Sequence, residues 1–114
     1  MEATARLRFL RGSAQKIRLV ADLIRGRDVQ DAVHILFLTK KAAARPVERL
    51  LKSAIANAEN RDSALDVDRL YVKEIHVDGG PTMKRIRPAP MGRAFRILRR
   101  TSHVTIKLDT RKGE

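Results

Sequence analysis

The chain has 114 residues, with 25 Lys or Arg against 13 Asp or Glu, for a net charge of +12. That length suits one domain with a small core, and a hydrophobic content of 43% is enough to fold it. The absence of cysteine excludes disulfides, thiolate metal sites and Cys nucleophiles together. Neither a spanning helix nor a secretory leader is expected, since no long apolar run occurs, and the expected compartment is the cytoplasm.

Glu2 to Leu10 alternates Ala3, Ala5, Leu7 and Phe9 with Thr4, Arg6 and Arg8, which predicts a half-buried strand with a basic outer face. Gly12 and Ser13 end it. Ser13 is the expected N-cap of a first helix whose core stripe is Ile17, Val20, Ala21 and Ile24, with Gly26 at its C-terminal cap. Asp28 is expected to cap a second helix, with Asp31 at the capping-box position and Val29, Ala32, Val33 and Leu36 facing inward. Thr39 is expected to cap a third, running from about Lys40 to Asn60. Its buried face is Ala43, Val47, Leu50, Leu51, Ala54, Ile55 and Ala58. Lys41, Arg45, Arg49 and Lys52 recur at helical spacing and predict one basic stripe along the same rod. Pro46 should kink this helix or displace its start.

After a polar loop from Arg61 to Asp68, Leu70 to Val77 reads as a strand. Its apolar parity slips between Val72 and Ile75, so a bulge is expected near Lys73–Glu74. Asp78-Gly79-Gly80-Pro81 is turn chemistry or a change of direction. A last core strand is expected from Thr101 to Leu108, with Ser102, Val104, Ile106 and Leu108 inward.

The thirty residues from Gly79 to Leu108 hold no Asp or Glu and eight Lys or Arg. Between the two strands, Pro88-Ala89-Pro90-Met91-Gly92 is the expected turn of an extended β-hairpin arm. Seven basic residues, Lys84, Arg85, Arg87, Arg93, Arg96, Arg99 and Arg100, crowd its sides. A self-repelling two-stranded ribbon is marginal in water, and phosphates alongside would stabilise it. Domain organisation follows: one domain, with a body over 1–81 and 101–110 and an arm over 82–100.

Catalytic and metal chemistry is not expected. His34, His76 and His103 are scattered, Asp66 and Asp68 sit in a polar loop, and the Gly-Gly-Pro lacks phosphate-loop spacing. No cofactor is expected and the chain should not be an enzyme. Four aromatics, Phe9, Phe37, Tyr71 and Phe95, are few for a base-stacking platform. Membrane adhesion is a poor fit, because the arm lacks a broad apolar face.

Three blocks carry a resemblance: GSAQKIRLVADLIRG (Gly12–Gly26), LLKSAIANAEN (Leu50–Asn60) and VDGGPTMKRIRPAPMGRAFRILRRTSHVTI (Val77–Ile106). In order, and over almost the entire chain, they resemble the bacterial large-ribosomal-subunit protein twenty-two family. The resemblance implies an α+β fold, with three helices on a three-stranded antiparallel sheet and a long protruding hairpin. It implies a structural constituent of the large subunit, monomeric within the ribosome, that binds large-subunit (23S) rRNA, assists assembly and contacts neighbouring ribosomal proteins. The arm is expected to line the nascent-peptide exit tunnel, with its tip, Pro88, Ala89, Pro90, Met91 and Gly92, toward the nascent polypeptide. The expected rRNA-binding set is Arg6, Arg8, Arg11, Ser13, Gln15, Lys16, Arg18, Lys41, Arg45, Arg49 and the seven basic residues of the arm. The chain departs from the family pattern at Gly80, where an acidic residue is usual, implying a looser hinge, and at Pro90–Met91, where a basic one is common. The alternative is a stand-alone architectural nucleic-acid protein with a basic β-arm.

Overall fold

In the computed structural model the order is strand β1 (Glu2–Arg11), helices α1 (Ala14–Ile24), α2 (Val29–Leu38) and α3 (Ala44–Arg61), a 3₁₀ turn (Val67–Arg69), and strands β2 (Leu70–Pro88) and β3 (Ala94–Thr110). The structure describes the backbone of residues 2–88 and 94–110 and the side chains of 2–82 and 100–110. Of the expected arm tip, Pro88–Gly92, the residues Ala89–Gly92 lie outside the described residues, with Arg93, as do the side chains of Pro88, Lys84, Arg85, Arg87, Arg96 and Arg99.

The sheet is antiparallel with order β1-β3-β2, so β3 is the central strand. The helices cover one face, and the core joins Ile17, Val20 and Ile24 of α1, Leu36 of α2 and Val47 and Leu51 of α3 to Val72, Ile75, Ile106 and Leu108 of the sheet. The α+β class expected from the resemblance is the one observed. β1 ends opposite Thr101, and beyond it β2 and β3 continue alone as a ribbon paired from Thr82↔Arg100 to Pro88↔Ala94. The molecule is accordingly elongated, 68 × 25 × 17 Å.

Both edge strands are covered by helix side chains, which blunts a row of backbone groups open to foreign strands. On β2, Arg18 donates to the Val77 carbonyl (3.2 and 2.8 Å) and Arg25 to that of Ile75 (2.9 Å). The turn after α1 adds two backbone bonds, Gly26 N–H to Val72 O and Val72 N–H to Arg27 O. Gly26, just past the α1 cap at φ +79°, is placed as expected. On β1, Asn57 and Arg61 of α3 donate to the Thr4 and Glu2 carbonyls.

Four local expectations need correction. Phe9 is not on the core side: it is 61% exposed. Register passes from Leu7↔Val104 to Leu10↔Ser102, so Arg8 and Phe9 together oppose His103 in a two-on-one bulge. Parity reverses there, and Leu10 packs against the core in place of Phe9. Thr39 does not start α3; it ends α2, its hydroxyl donating to the Ile35 carbonyl (2.7 Å). α3 begins at Ala44, which puts Pro46 in the first turn, where the missing N–H has no helical partner to lose. Asp28 occupies the α2 N-cap position without a side-chain capping bond.

The bulge expected near Lys73–Glu74 is present, with register shifting between Val72 and Glu74. A second shift lies between Gly79 and Thr82, where Gly80 and Pro81 oppose Thr101. A β-carbon on Gly80 would stand 2.7 Å from Thr101 Oγ1 and 3.2 Å from His103 Nε2. The vacancy left by the missing side chain is therefore filled, and the Thr101 hydroxyl donates to the Pro81 carbonyl (2.6 Å). The expected looser hinge is a continuous strand with a bolted bulge.

Candidate nucleic-acid interface

The turn from β1 into α1 is built against the root of the arm. Gly12, at φ +137°, donates its N–H to Arg100 O (3.0 Å) and accepts from the hydroxyl of Ser102, which is fully buried (2.9 Å). Without the Ser102 hydroxyl that part-buried carbonyl would lose its side-chain donor. Ser13 then caps α1, its Oγ accepting from the Lys16 N–H at 3.4 Å. The capping bond leaves Gln15 and Lys16 exposed on the first turn, at the positive end of the helix.

Two adjoining grooves open beside this turn. One, of about 500 Å³, is lined by Arg11, Lys16 and Lys41 around Leu10, Leu19 and Pro46. The next, of about 400 Å³, is lined by Arg6 and Arg49 and shares Leu10 and Pro46 with the first. Five cations from β1, α1, the α2–α3 loop and α3 thus border this hollow of two adjoining grooves, and neither groove is lined by a carboxylate. The apolar floor holds the stems while the charged ends remain in water, an arrangement suited to a polyanion crossing the surface.

Charge is also sorted along the sheet. Glu2 and Asp109 face each other at the end far from the arm. Lys73 lies 2.5 Å from the Glu2 carboxylate, whose hydrogen bond and charge raise the ammonium above its usual pKa, and 3.8 Å from Asp109. Glu74 accepts from His76 (3.2 Å) and lies 3.6 Å from Lys107, and these hold its carboxyl below the usual range. Toward the arm the exposed charged residues on β1 are Arg6, Arg8 and Arg11.

The predicted site residues divide. Arg6, Arg11, Lys16, Lys41 and Arg49 are brought together; Arg8 lies on the open face of the sheet, and Arg100 is exposed at the arm root. Arg18 and Arg45 are engaged within the protein. Arg45 donates to the carbonyls of Leu36 (3.0 Å), Phe37 (2.8 Å) and Thr39 (3.0 Å), to Glu48 (2.6 Å), and stands 5.9 Å from the Phe37 ring centroid. It is the C-terminal clamp of α2. The expected single basic stripe is consequently broken. Lys41 precedes α3, Arg45 turns to α2, Lys52 pairs with Glu48 (3.4 Å) in the α2–α3 groove, and only Arg49 reaches the β1 side. The apolar contribution of Leu10 and Pro46 went unforeseen, since Leu10 comes inward only through the bulge. Among the described residues no group of His, Asp and Glu is placed to hold a metal ion.

Residues 5–109 match the family model described as "Ribosomal protein L22p/L17e". The chain is 56% identical over 109 residues to the "Large ribosomal subunit protein uL22" of Myxococcus xanthus, covering 95% of this chain and 96% of the relative. It is 54% identical over 111 residues to the protein of the same name from Caldicellulosiruptor saccharolyticus (97% and 90% covered). To that of Geobacter sulfurreducens it is 55% identical over 108 residues (95% and 96%).

Proposed function

Because this chain belongs to the ribosomal protein L22p/L17e family, we propose that it binds large-subunit (23S) rRNA, assists assembly of the subunit, and lines the nascent-peptide exit tunnel with its arm. It is a structural constituent of the large ribosomal subunit in the cytoplasm and not an enzyme. The observation that carries the rRNA reading is the hollow bordered by Arg6, Arg11, Lys16, Lys41 and Arg49 without a lining carboxylate, next to the root of the arm. Phosphates crossing it release counterions and fix register, while the shape of the RNA selects the site.

The division of labour is a body, 1–81 and 101–110, seated on the RNA and an arm, 82–100, threaded between RNA segments toward the nascent chain. Neighbouring ribosomal proteins complete its surroundings, and no membrane is involved. Lys84, Arg85, Arg87, Arg96 and Arg99 occupy ribbon register positions on both strands, so phosphate contacts along both sides are consistent with the arm's length.

Affinity of the purified chain for a large-subunit rRNA transcript should fall steeply as salt rises. Replacing Lys16 or Arg49 by Gln should lower the log–log salt slope by about 1 each. Affinity unchanged by a severalfold rise in salt refutes the phosphate reading. Crosslinks from Arg85 and Arg93 in assembled subunits should reach tunnel RNA; crosslinks confined to the outer surface would refute the tunnel assignment.

A further inference from the structure

We propose that Phe9, set out by the β1 bulge, is a stacking surface for an unpaired nucleobase of the large-subunit RNA, with Arg6 and Arg8 taking the flanking phosphates. This rests on the rRNA-binding reading and adds to it a contact that counts of aromatic residues argue against. The ring is 61% exposed on a strongly basic surface; what sets it apart from other exposed apolar side chains such as Phe37 is the backbone that holds it there. The backbone spends conformational freedom to hold it there: Phe9 is the one non-glycine residue at positive φ (+58°) among the described residues, in a region that bulky side chains seldom enter.

The ring is also fixed. The Phe9 N–H donates to His103 Nδ1 (3.1 Å), and the two rings meet edge to face, 5.0 Å between centroids and 85° between planes. An edge-to-face neighbour orients the ring and leaves at least one of its faces open to a stacking partner. Beside it lies a cavity of about 460 Å³ on the open side of the sheet, bordered by Arg6, Arg8, Phe9, Asp78, His103 and Thr105. That size is within the range of small-ligand sites. Asp78, paired in register with His103 from the opposite strand, makes this a poor seat for a phosphate. Its carboxylate and the Thr105 hydroxyl instead suit the N–H-bearing edge of a base. Single-stranded segments and bulges are where RNA offers such a base, unstacked and accessible to an aromatic side chain.

The test uses the full chain and a large-subunit rRNA transcript. The protein has no tryptophan, so Phe9→Trp supplies a unique fluorophore at the site. Its emission should be quenched on RNA addition, with affinity by filter binding close to that of the parent. Phe9→Ala should weaken binding by about 5- to 150-fold, the range of one base–aromatic stack, with a melting temperature lowered only by the loss of the His103 ring contact. Binding by Phe9→Trp without quenching, or parental affinity in Phe9→Ala, overturns the stacking site while leaving rRNA binding intact. No binding by the parent chain overturns the rRNA reading itself, and this inference with it.

Discussion

Replacing Arg45 by Met keeps the aliphatic stem over Phe37 and removes the fork that holds the last carbonyls of α2. Three carbonyls and the Glu48 carboxylate lose their shared donor, all at 2.6 to 3.0 Å. Hydrogen bonds to a charged group are worth about 1.5–3 kcal/mol when well shielded, but the Arg45 side chain is 46% exposed and solvent recovers much of that. With a helix-terminus contribution of about 0.3–1 kcal/mol, a net loss of about 1–2 kcal/mol is expected. For a domain of this size that corresponds to a fall in melting temperature of about 4–8 °C. Arg45→Lys should fall between, since an ammonium keeps the charge but cannot span three carbonyls. Thermal unfolding by circular dichroism measures the loss, and filter binding to the rRNA transcript should show affinity within about twofold of the parent. If Arg45→Met melts like the parent and instead loses RNA affinity, the guanidinium is a phosphate ligand and its role as α2 clamp is refuted.

Two further outcomes follow from the geometry. Gly80→Ala places a β-carbon 2.7 Å from Thr101 Oγ1 and should cost about 1–3 kcal/mol; in a double-mutant cycle with Thr101→Ala, read by urea unfolding, the two losses should sum to more than the double variant shows. Additive losses would mean that the hydroxyl does not fill that space. The Glu74 carboxyl titrates below its usual value, first through the His76 hydrogen bond and then through Lys107. Its stabilising effect is therefore present above the unfolded-state pKa and is lost as pH falls through the folded one. Glu74→Gln should narrow the difference in melting temperature between neutral and strongly acidic solution; an unchanged difference would show that these contacts do not persist in solution.

What could be read from the chain follows how local each feature is. The stripe Ile17, Val20, Ala21 and Ile24 and the alternation Ser102, Val104, Ile106 and Leu108 are periodic, and all eight are buried. The Lys73–Glu74 bulge left a parity slip to be noticed, whereas the Arg8–Phe9 bulge left none. Ala3, Ala5, Leu7 and Phe9 alternate as well as any regular strand, and only pairing with β3 reveals the extra residue. Thr39 was ambiguous because a hydroxyl can satisfy either end of a helix; the spacing of Ala43 and Ala44 could not decide which. Arginines were the hardest to place. Nothing local separates Arg18 and Arg45, which hold backbone carbonyls, from Arg11 and Arg49, which border the basic hollow. That choice depends on which carbonyls the tertiary fold leaves within reach.

The arm is a prolongation of the central strand and one edge strand, not an appendage joined through a flexible loop. A pull along its axis is received by β3, which is laddered on both sides within the body, so the load is shared in shear by many parallel bonds instead of unzipping them one by one. A sideways push meets the two bulges, where Arg8–Phe9 and Gly80–Pro81 flank β3 at His103 and Thr101. The molecule is thus stiff in tension and braced against bending at one level by the filled Gly80–Pro81 bulge, in the manner of a cantilever clamped at its root.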